Sequence, residues 1–420
     1  MKIRKRLLFI LLLPAQLVLA QEPVHLSDCQ QWAREQHPLL KQKELYRKMS
    51  ELKLENNKTN YLPNLNLNAR ATYQSAVTSV DVPIPNVNIP SVSKDQYKMY
   101  VDVKQNIWDG GLTKANEILE KAQDAANEQG VEVELYKVRE QVNSLFFTSF
   151  FIQQNLDILG KKQETLEARK KQMQSGVDHG VILQSDLDQI LAELVKVDQQ
   201  KIELQSNRET VLSALAIFTG KQPGDLQNLV IDNQDQLLDN QLNRPELGLF
   251  QKQADALMAS SNLIQKKRNP KLFGFGQAGY GRPALNMLND NFDTYYLVGV
   301  GFKWNIFDWK NTKRDQEIIQ MKQQMINTQQ QQFERSINIA LDRQKHKIGE
   351  LENILKSDQN LIELQLRIAR SAESKLDNGT ITTSDYIKDV NAEAAARIIL
   401  QTHKIRLEQA KIDYQNIQGK

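Results

Sequence analysis

Few side chains in this sequence have the types and spacing that catalysis or metal binding requires. The chain has one cysteine, Cys29, and five histidines whose separations fit no zinc-binding pattern. Residues 274–279 spell a Gly-x-Gly-x-x-Gly string, but Pro283 and a polar loop follow where a nucleotide-binding helix would have to begin. Glycines within a strand explain the string better. We therefore expect neither enzyme activity nor a bound metal or cofactor.

The overall composition excludes several other classes of protein. The 420 residues include 54 Lys or Arg and 51 Asp or Glu, which gives a net charge of +3. This near-balance provides no electrostatic reason to expect nucleic acid as a partner. Hydrophobic residues make up 40% of the chain, which argues against disorder. No apolar run long enough for a spanning helix follows residue 20.

The first 20 residues have the features of a secretory signal peptide. Basic residues occupy positions 2–6, an apolar run covers 7–13, and Val18-Leu19-Ala20 fits the small-x-Ala cleavage rule. We expect the mature chain to begin near Gln21; an uncleaved anchor is the alternative, with a short apolar core. The residues before Cys29 faintly resemble a lipidation box, but Asp28 stands where a small residue is needed. An unmodified thiol is therefore the preferred interpretation.

The sequence contains two copies of one unit. Pro38 and Pro63 recur 207 residues later as Pro245 and Pro270. Further along, the offset is 199: Asn-Ile-Trp-Asp at 106–109 matches Asn-Ile-Phe-Asp at 305–308, and the following residues also recur. These matches are Gly180, Ser185 and Asp186 with Gly379, Ser384 and Asp385. We predict a first repeat at 21–220, a linker at 221–244 in an equatorial region, and a second repeat at 245–420.

Each repeat contains two stretches that alternate between apolar and polar residues. The first runs from Leu65 to Tyr73 and the second includes Met99 to Lys104; the second repeat has Tyr296 to Asn305. Period two over about 10 residues predicts strands of the length that crosses a bilayer in a tilted barrel. The stretch around Phe273 and Phe275 departs from this pattern, because both faces are apolar there. A half-buried strand of a soluble sandwich is the alternative.

Aromatic residues cluster near the ends of the predicted strands, where they form either a membrane-interface girdle or ordinary packing. The residues are Trp108, Phe302, Trp304, Phe307 and Trp309.

Very long helices are predicted to follow Asp109 and Asp308, which are suitable N-caps. No proline occurs at 91–222 or 284–420, and apolar residues recur at alternate steps of three and four, which is coiled-coil periodicity. A helix from residue 112 to 177 would run about 100 Å. Polar residues interrupt the apolar series, for example Gln163, Lys170 and Asp358. They either set the register of the coiled coil or are simply tolerated where the interface between the helices is hydrated.

Helices of this length and strands with open edges require more than one chain. Four strands leave two unpaired edges, which are costly in lipid. Three chains would supply twelve strands, an allowed barrel. The predicted fold is therefore an α+β membrane protein, in which long antiparallel coiled-coil helices form an α-barrel and four strands join a trimeric transmembrane β-barrel.

The signal peptide, the duplicated strand and long-helix unit, Trp108-Asp109-Gly110, and the Gly-x-x-x-x-Ser-Asp turns resemble the TolC-like outer-membrane efflux proteins. The resemblance implies a homotrimer in the outer membrane of a Gram-negative bacterium, with a large periplasmic tunnel. It implies a passive export channel of a tripartite efflux or type I secretion system, with a periplasmic adaptor, an inner-membrane transporter and outer-membrane lipid as partners. A soluble periplasmic coiled-coil scaffold or adaptor protein is the alternative.

The resemblance also places the functional residues. The turns at Gly180 and Gly379 would form the tip where the adaptor docks, together with Ser185, Asp186 and Ser384. The family carries two acidic residues that ring the closed periplasmic gate. Asp385 matches the first; Lys388 stands at the second, and Asp389 is the next acidic residue, on the same helical face. Alternatively, Asp385 and Asp186 cap their helices. Where some members have a Tyr and Arg latch, this chain has Leu376 and Ile381. His179 is either an exposed turn residue or a pH sensor.

Overall fold

A computed structural model describes residues 23–78, 91–231 and 241–420. The predicted signal peptide lies outside these residues, as do parts of the loop between the first two predicted strands and of the predicted linker. The α-helices of the described residues are α1 (Leu26–Gln36), α2 (Leu39–Lys58), α3 (Leu112–Asp178), α4 (Gln184–Thr219), α5 (Pro245–Lys266), α6 (Asn311–Asp377) and α7 (Thr383–Gln418). The strands are β1 (Val24–His25), β2 (Asn64–Tyr73), β3 (Asp95–Trp108), β4 (Leu229–Val230), β5 (Lys271–Arg282) and β6 (Asp293–Lys303).

The long helices follow the proline-free stretches of the sequence. α3 and α6 have 67 residues each, and α4 and α7 have 36 each. The predicted helix from residue 112 to 177 is confirmed to within one residue. α2 ends at Lys58, where Thr59–Tyr61 tighten into a 3₁₀ turn. None of the helices among the described residues has an apolar stretch long enough to cross a membrane.

The chain divides into two compact units. One consists of the described residues within 38–137 and 240–342, with Ile417–Lys420. The other consists of the described residues within 1–37 and 138–239, with Arg343–Asn416.

The first of these units contains a four-stranded antiparallel sheet in the order β2-β3-β5-β6. Its register aligns the alternation of all four strands, so that each row of paired residues lies on one face. One such row is apolar: Leu65, Val103, Gly276 and Val298. The next row lies on the opposite face and is mainly polar: Asn66, Asp102, Gln277 and Leu297. The predicted alternation is confirmed, and the glycine string of residues 274–279 is a strand.

The two phenylalanines that break the alternation lie on the polar face. A Cβ atom on Gly299 would come within 2.6 Å of the Phe275 ring, and one on Gly301 within 2.4 Å of the Phe273 ring. The rings therefore cover backbone that has no side chain of its own, an arrangement known to support strand glycines. The Lys104 ammonium lies 4.4 Å from the centre of the Phe273 ring. The pair of glycines explains how a polar face accommodates two phenylalanines.

The other unit is built from helices with two separate apolar clusters. One cluster joins α1 to α3, α4 and α7, with Phe146 and Leu215 fully buried. A two-residue parallel pairing of β1 with β4 lies beside it. The second cluster joins α3, α4, α6 and α7 and includes Leu166, Ile190, Ala372 and Val390. α1, β1 and β4 were not predicted, because short elements carry too few residues to show a period.

Aspartates begin α3 and α6, as predicted. Asp109 accepts hydrogen bonds from the backbone N–H groups of Gly111, Leu112 and Thr113 at 2.9, 3.1 and 2.6 Å, and from the Tyr61 hydroxyl at 2.8 Å. Burial opposes ionisation of Asp109, but these hydrogen bonds outweigh it, so the pKa of Asp109 lies below its ordinary value. The Asp109 carboxylate thus satisfies the N–H groups that the first turn of α3 leaves free.

Asp308 begins α6 in the same way. Its carboxylate accepts from the N–H groups of Lys310 and Thr312 at 3.1 and 3.0 Å, and from the Thr312 hydroxyl. The turns before the two helices use different residues. Gly110 and Gly111 have positive φ in the first, whereas Trp309 and Lys310 adopt positive φ in the second.

We expect Asp109→Ala to lower the free energy of unfolding by about 0.5–2 kcal/mol, because it removes the cap. Since the pKa of Asp109 is depressed in the folded chain, this stabilisation is complete above the ordinary value of about 3.9. It is lost as the pH falls through the lower, folded value. The thermal midpoint of the helical circular-dichroism signal at neutral and acid pH measures both effects. Asp188→Ala, at an exposed position inside α4, is the control; equal midpoints at neutral pH would contradict the prediction.

Candidate functional site

The two helix hairpins end in turns of the same geometry. The N–H of Gly180 donates to the Val177 carbonyl and that of Val181 to the Gly176 carbonyl, both at 2.9 Å. This pattern is a Schellman motif, which requires a residue with positive φ at the position of Gly180 (+71°). Gly379 has φ of +66° and forms the second such turn. The predicted turns are confirmed; their role in docking an adaptor is not tested by this geometry.

Asp385 takes part in the N-terminal cap of α7. Its backbone N–H donates to the Thr382 hydroxyl at 3.1 Å. In return its carboxylate accepts from the Thr382 hydroxyl at 2.7 Å and from the Thr382 N–H at 3.2 Å. This reciprocal pattern is a capping box. The hydrogen bonds from Thr382, together with the nearby charge of Lys388, hold the pKa of Asp385 below its ordinary value.

The corresponding turn of the first hairpin lacks this cap. The N-cap residue of α4 is Leu183, which stands where α7 has Thr382, and its side chain makes no capping hydrogen bond. Asp186 therefore lies in the first turn of α4 without a hydroxyl partner, and the prediction that it caps its helix like Asp385 is wrong. Ser185 and Ser384 are exposed beside these turns.

Asp385 and Asp389 line one cleft, as their spacing predicts. The cleft lies between α6 and α7 and has a volume of about 390 Å³. Arg367 and Lys375 of α6 line the same cleft, so two cationic side chains accompany the two carboxylates. The sequence indicated the shared acidic face but not the cations opposite it, because these come from a different helix.

Leu376 and Ile381 flank the second turn and are partly buried. Both pack against the apolar cluster that includes Ala372 and Val390. Apolar contact therefore occupies the positions where the resemblance implied a polar latch, and Lys388 is exposed.

An ion pair near the turns was not predicted. The Arg169 guanidinium of α3 bonds to the Asp377 carboxylate at the end of α6. The guanidinium carbon of Arg169, Cζ, lies 5.4 Å from the centre of the buried Tyr386 ring of α7. Only 7% of the Arg169 side chain is exposed. An arginine at a buried position of a helix can be noticed in the sequence, but the spacing of residues along that helix does not reveal a partner on another helix.

The predicted girdle aromatics share one end of the sheet. Trp108 ends β3 and pairs with Leu272, which pairs in turn with Phe302 of β6. Trp304, Phe307 and Trp309 follow β6, and all five aromatic residues are exposed. The Phe307 and Trp309 rings are in edge contact, 4.8 Å apart. Trp108 and Phe302 therefore lie at the same end of the sheet, and the girdle itself stays a prediction.

The remaining reactive side chains form no site. Cys29 is completely buried in the cluster around α1. Burial, with the adjacent Asp28, raises the pKa of its thiol to about 12, so the thiolate is not available. His179 is exposed and its Nδ1 lies 2.7 Å from the Ser175 carbonyl. Across the described ranges, no three His, Cys, Asp or Glu side chains come together as metal ligands.

Comparison with known proteins finds a family match. The model of a family described as outer membrane efflux protein matches residues 30–221. Over these residues, a little under half of the chain, the sequence is similar to the outer membrane efflux protein family. The resemblance predicted from the sequence is therefore confirmed. No curated protein sequence matches the chain significantly.

Solved structures share the fold across nearly the whole chain. VceC of Vibrio cholerae is 13% identical, with a TM-score of 0.66, over 94% of this chain and 96% of VceC. CmeC of Campylobacter jejuni is 17% identical, with a TM-score of 0.64, over 94% of this chain and 85% of CmeC. The open-state MtrE channel of Neisseria gonorrhoeae is 14% identical, with a TM-score of 0.62, over 93% and 88%.

The match to this family bears on several predictions. The predicted function as an efflux channel and the predicted outer-membrane localisation are confirmed at the level of the family. The family is a class of transport ducts rather than of enzymes. The roles of the gate, tip and girdle residues stay predictions.

We expect Asp385→Asn with Asp389→Asn to reduce the preference of the channel for cations, because the cleft then retains only Arg367 and Lys375. Reversal potentials of single channels under a salt gradient measure this preference. Asp186→Asn, at the matching position of the first hairpin, is the control and should leave the preference unchanged. An unchanged preference in the double variant would remove both carboxylates from the gate.

Proposed function

We propose that three copies of this chain form an outer-membrane channel, in which twelve strands close a barrel and the long helices line the periplasmic duct. The observation that carries the proposal is the two-faced, open-edged sheet. Channels of this family work with a periplasmic adaptor and an inner-membrane pump. In this chain the duct is passive, and the proposal assigns it no catalytic step.

The apolar face of the sheet is suited to lipid. Leu65, Val298 and Phe302 are 66%, 77% and 65% exposed. Water would solvate such side chains unfavourably, whereas lipid would not, since apolar area favours an apolar environment by about 25 cal/mol per Å². The opposite face carries Asn66, Asp102 and their neighbours, which suits a water-filled lumen.

The edges of the sheet indicate that more than one copy is needed. Among the described residues, β2 pairs only with β3 and β6 only with β5. An unpaired strand edge exposes N–H and C=O groups that lipid cannot satisfy. Joining β6 of one copy to β2 of the next would satisfy both edges, and three copies give a strand number found in closed barrels.

An internal duplication accounts for the arrangement of elements within one copy. Each half contributes two strands, one helix of 67 residues and one of 36 residues, in the same order. We place the two repeats at 21–220 and 245–420. This pairing of halves gives each copy two hairpin turns, at Gly180 and Gly379, which are proposed to dock the adaptor.

The proposed periplasmic gate lies beside the second turn. Asp385 and Asp389 line its cleft, while Leu376 and Ile381 close it by apolar contact. Arg169 joins three helices at this level through Asp377 and Tyr386.

Extraction separates a membrane channel from the alternative, a soluble periplasmic scaffold. A channel should stay in the membrane after osmotic shock, require detergent, and run as a cross-linked trimer that conducts in planar bilayers. Release by osmotic shock as a water-soluble monomer would favour the scaffold instead. Co-purification with an inner-membrane pump would then identify the transport system.

A pair of adjacent lysine substitutions tests the assignment of the two faces. We expect Val298→Lys to reduce membrane assembly severely, because a lysine facing the bilayer midplane costs about 2–4 kcal/mol. Leu297→Lys, one residue away on the polar face, should assemble normally and change only conductance. The amount of detergent-extracted trimer measures assembly. The face assignment would be wrong if both variants assembled equally well.

A further inference from the structure

Polar pairs are buried in the apolar seams of the two long hairpins, α3 with α4 and α6 with α7. In the second hairpin, Asp358 Oδ2 of α6 lies 2.6 Å from His403 Nδ1 of α7. The two side chains are only 9% and 22% exposed. In the first hairpin, Leu159 and Leu204 stand 199 residues earlier, and both belong to its apolar packing. One hairpin therefore has a polar pair where the other has two leucines.

A second pair shows the reverse exchange. Lys162 Nζ of α3 lies 2.8 Å from Glu193 Oε1 of α4, with side chains 9% and 7% exposed. The matching positions of the second hairpin are Leu361 and Ala392. Both members of the pair are again polar in one hairpin and apolar in the other.

A third pair follows the same rule. Lys201 Nζ of α4 lies 2.6 Å from Gln163 Oε1 of α3, and the matching residues are Ile362 and Leu400. The polar interruptions predicted at Gln163 and Asp358 thus have partners across the seam. In all three cases the two helices of a hairpin change together.

We propose that these pairs select the partner of each long helix. The proposal rests on the proposed duplication, because two similar halves offer α3 a choice between α4 and α7, and α6 the same choice. Pairing α6 with α4 would place Asp358 against Leu204, and pairing α3 with α7 would place Lys162 against Ala392. A buried charge without its partner is strongly destabilising, whereas the intact pair adds little over an apolar contact. The pairs therefore provide specificity, a use known for polar residues in coiled-coil seams.

The test moves the α3 member of each pair to α6, and the α6 member to α3. The six substitutions are Leu159→Asp, Lys162→Leu and Gln163→Ile with Asp358→Leu, Leu361→Lys and Ile362→Gln, and they keep the composition of the chain. In the native arrangement the carboxylate at position 159 then faces Leu204. Pairing of α3 with α7 would match that carboxylate with His403, and pairing of α6 with α4 would match the ammonium at position 361 with Glu193.

A matched control also exchanges the partners on α4 and α7. Leu204→His, Glu193→Ala and Lys201→Leu with His403→Leu, Ala392→Glu and Leu400→Lys restore complete pairs within each hairpin, and this twelve-residue variant is the control.

Thiol cross-linking reports which helices pair. In a Cys29→Ala background, cysteines at Gln344 and Ala410 report α6 against α7, because the Gln344 side chain donates to the Ala410 carbonyl at 3.0 Å. Cysteines at Leu145, the matching position on α3, and Ala410 report α3 against α7, with the wild-type yield as baseline. These readouts do not involve conductance, so their failure is distinct from failure of the channel proposal.

We expect the six-residue variant to lose native cross-linking by roughly threefold or more and to gain the α3–α7 product above baseline, because all three polar pairs are complete only in its mispaired form. The twelve-residue variant should return both yields to wild type. Asp358→Leu with His403→Leu should keep the wild-type thermal midpoint, whereas His403→Leu alone should lower it. Loss of the native product without gain of the α3–α7 product would mean that the pairs act only locally, and the proposal would be wrong. Failure of the twelve-residue variant to recover would overturn it equally.

Discussion

The constraint on which the structure depends is that this four-stranded sheet cannot complete itself. Among the described residues its hydrogen-bonding edges end at β2 and β6, and apolar side chains such as Leu65 and Val298 are exposed on one face. In water the open edges are hydrated but the apolar face is exposed unfavourably, whereas in lipid the apolar face is favourable but the open edges are not. Closure with other copies, as proposed, would satisfy both conditions at once. The proposed trimer thus follows first from the need to satisfy backbone hydrogen bonds, and only second from side-chain contacts.

The junctions between sheet and helix show how one geometry arises from two sets of residues. In each, a strand is followed by a helix capped by an aspartate: β3 ends at Trp108 and α3 begins at Leu112, whereas β6 ends at Lys303 and α6 begins at Asn311. Gly110 and Gly111 adopt positive φ without steric cost. At the second junction Trp309 and Lys310 adopt it at a cost of roughly 1–2 kcal/mol per residue. The aspartate cap is the feature that both junctions share, at Asp109 and at Asp308.

Sequence patterns predicted the elements well wherever a period runs for many residues. Alternation located β2 and β3, and the proline-free stretch after Asp109 located α3 to within one residue, while α6 begins after Asp308 as predicted. The patterns did not reveal contacts between elements. In the sequence Asp358 only interrupts an apolar series, and the structure shows its partner, His403, 45 residues away. Phe273 likewise only interrupts the alternation of β5, and the structure shows that its ring lies over Gly301. Each of these residues is explained by its partner on another element, so the sequence of a single helix or strand does not show its role.

The proposed gate shows why the same limit applies to function. Asp385 is fixed and ionised by its hydrogen bonds with Thr382, so its charge is built into the start of α7. The cleft that it shares with Asp389 also contains Arg367 and Lys375 and is therefore balanced in charge within one copy. Charges in water are screened within about 10 Å at ordinary ionic strength, so only side chains that face the pore act on a passing ion. Ion preference at this gate thus depends on which of the four groups assembly turns toward the axis. Spacing along α7 cannot specify that arrangement, because two of the groups belong to α6.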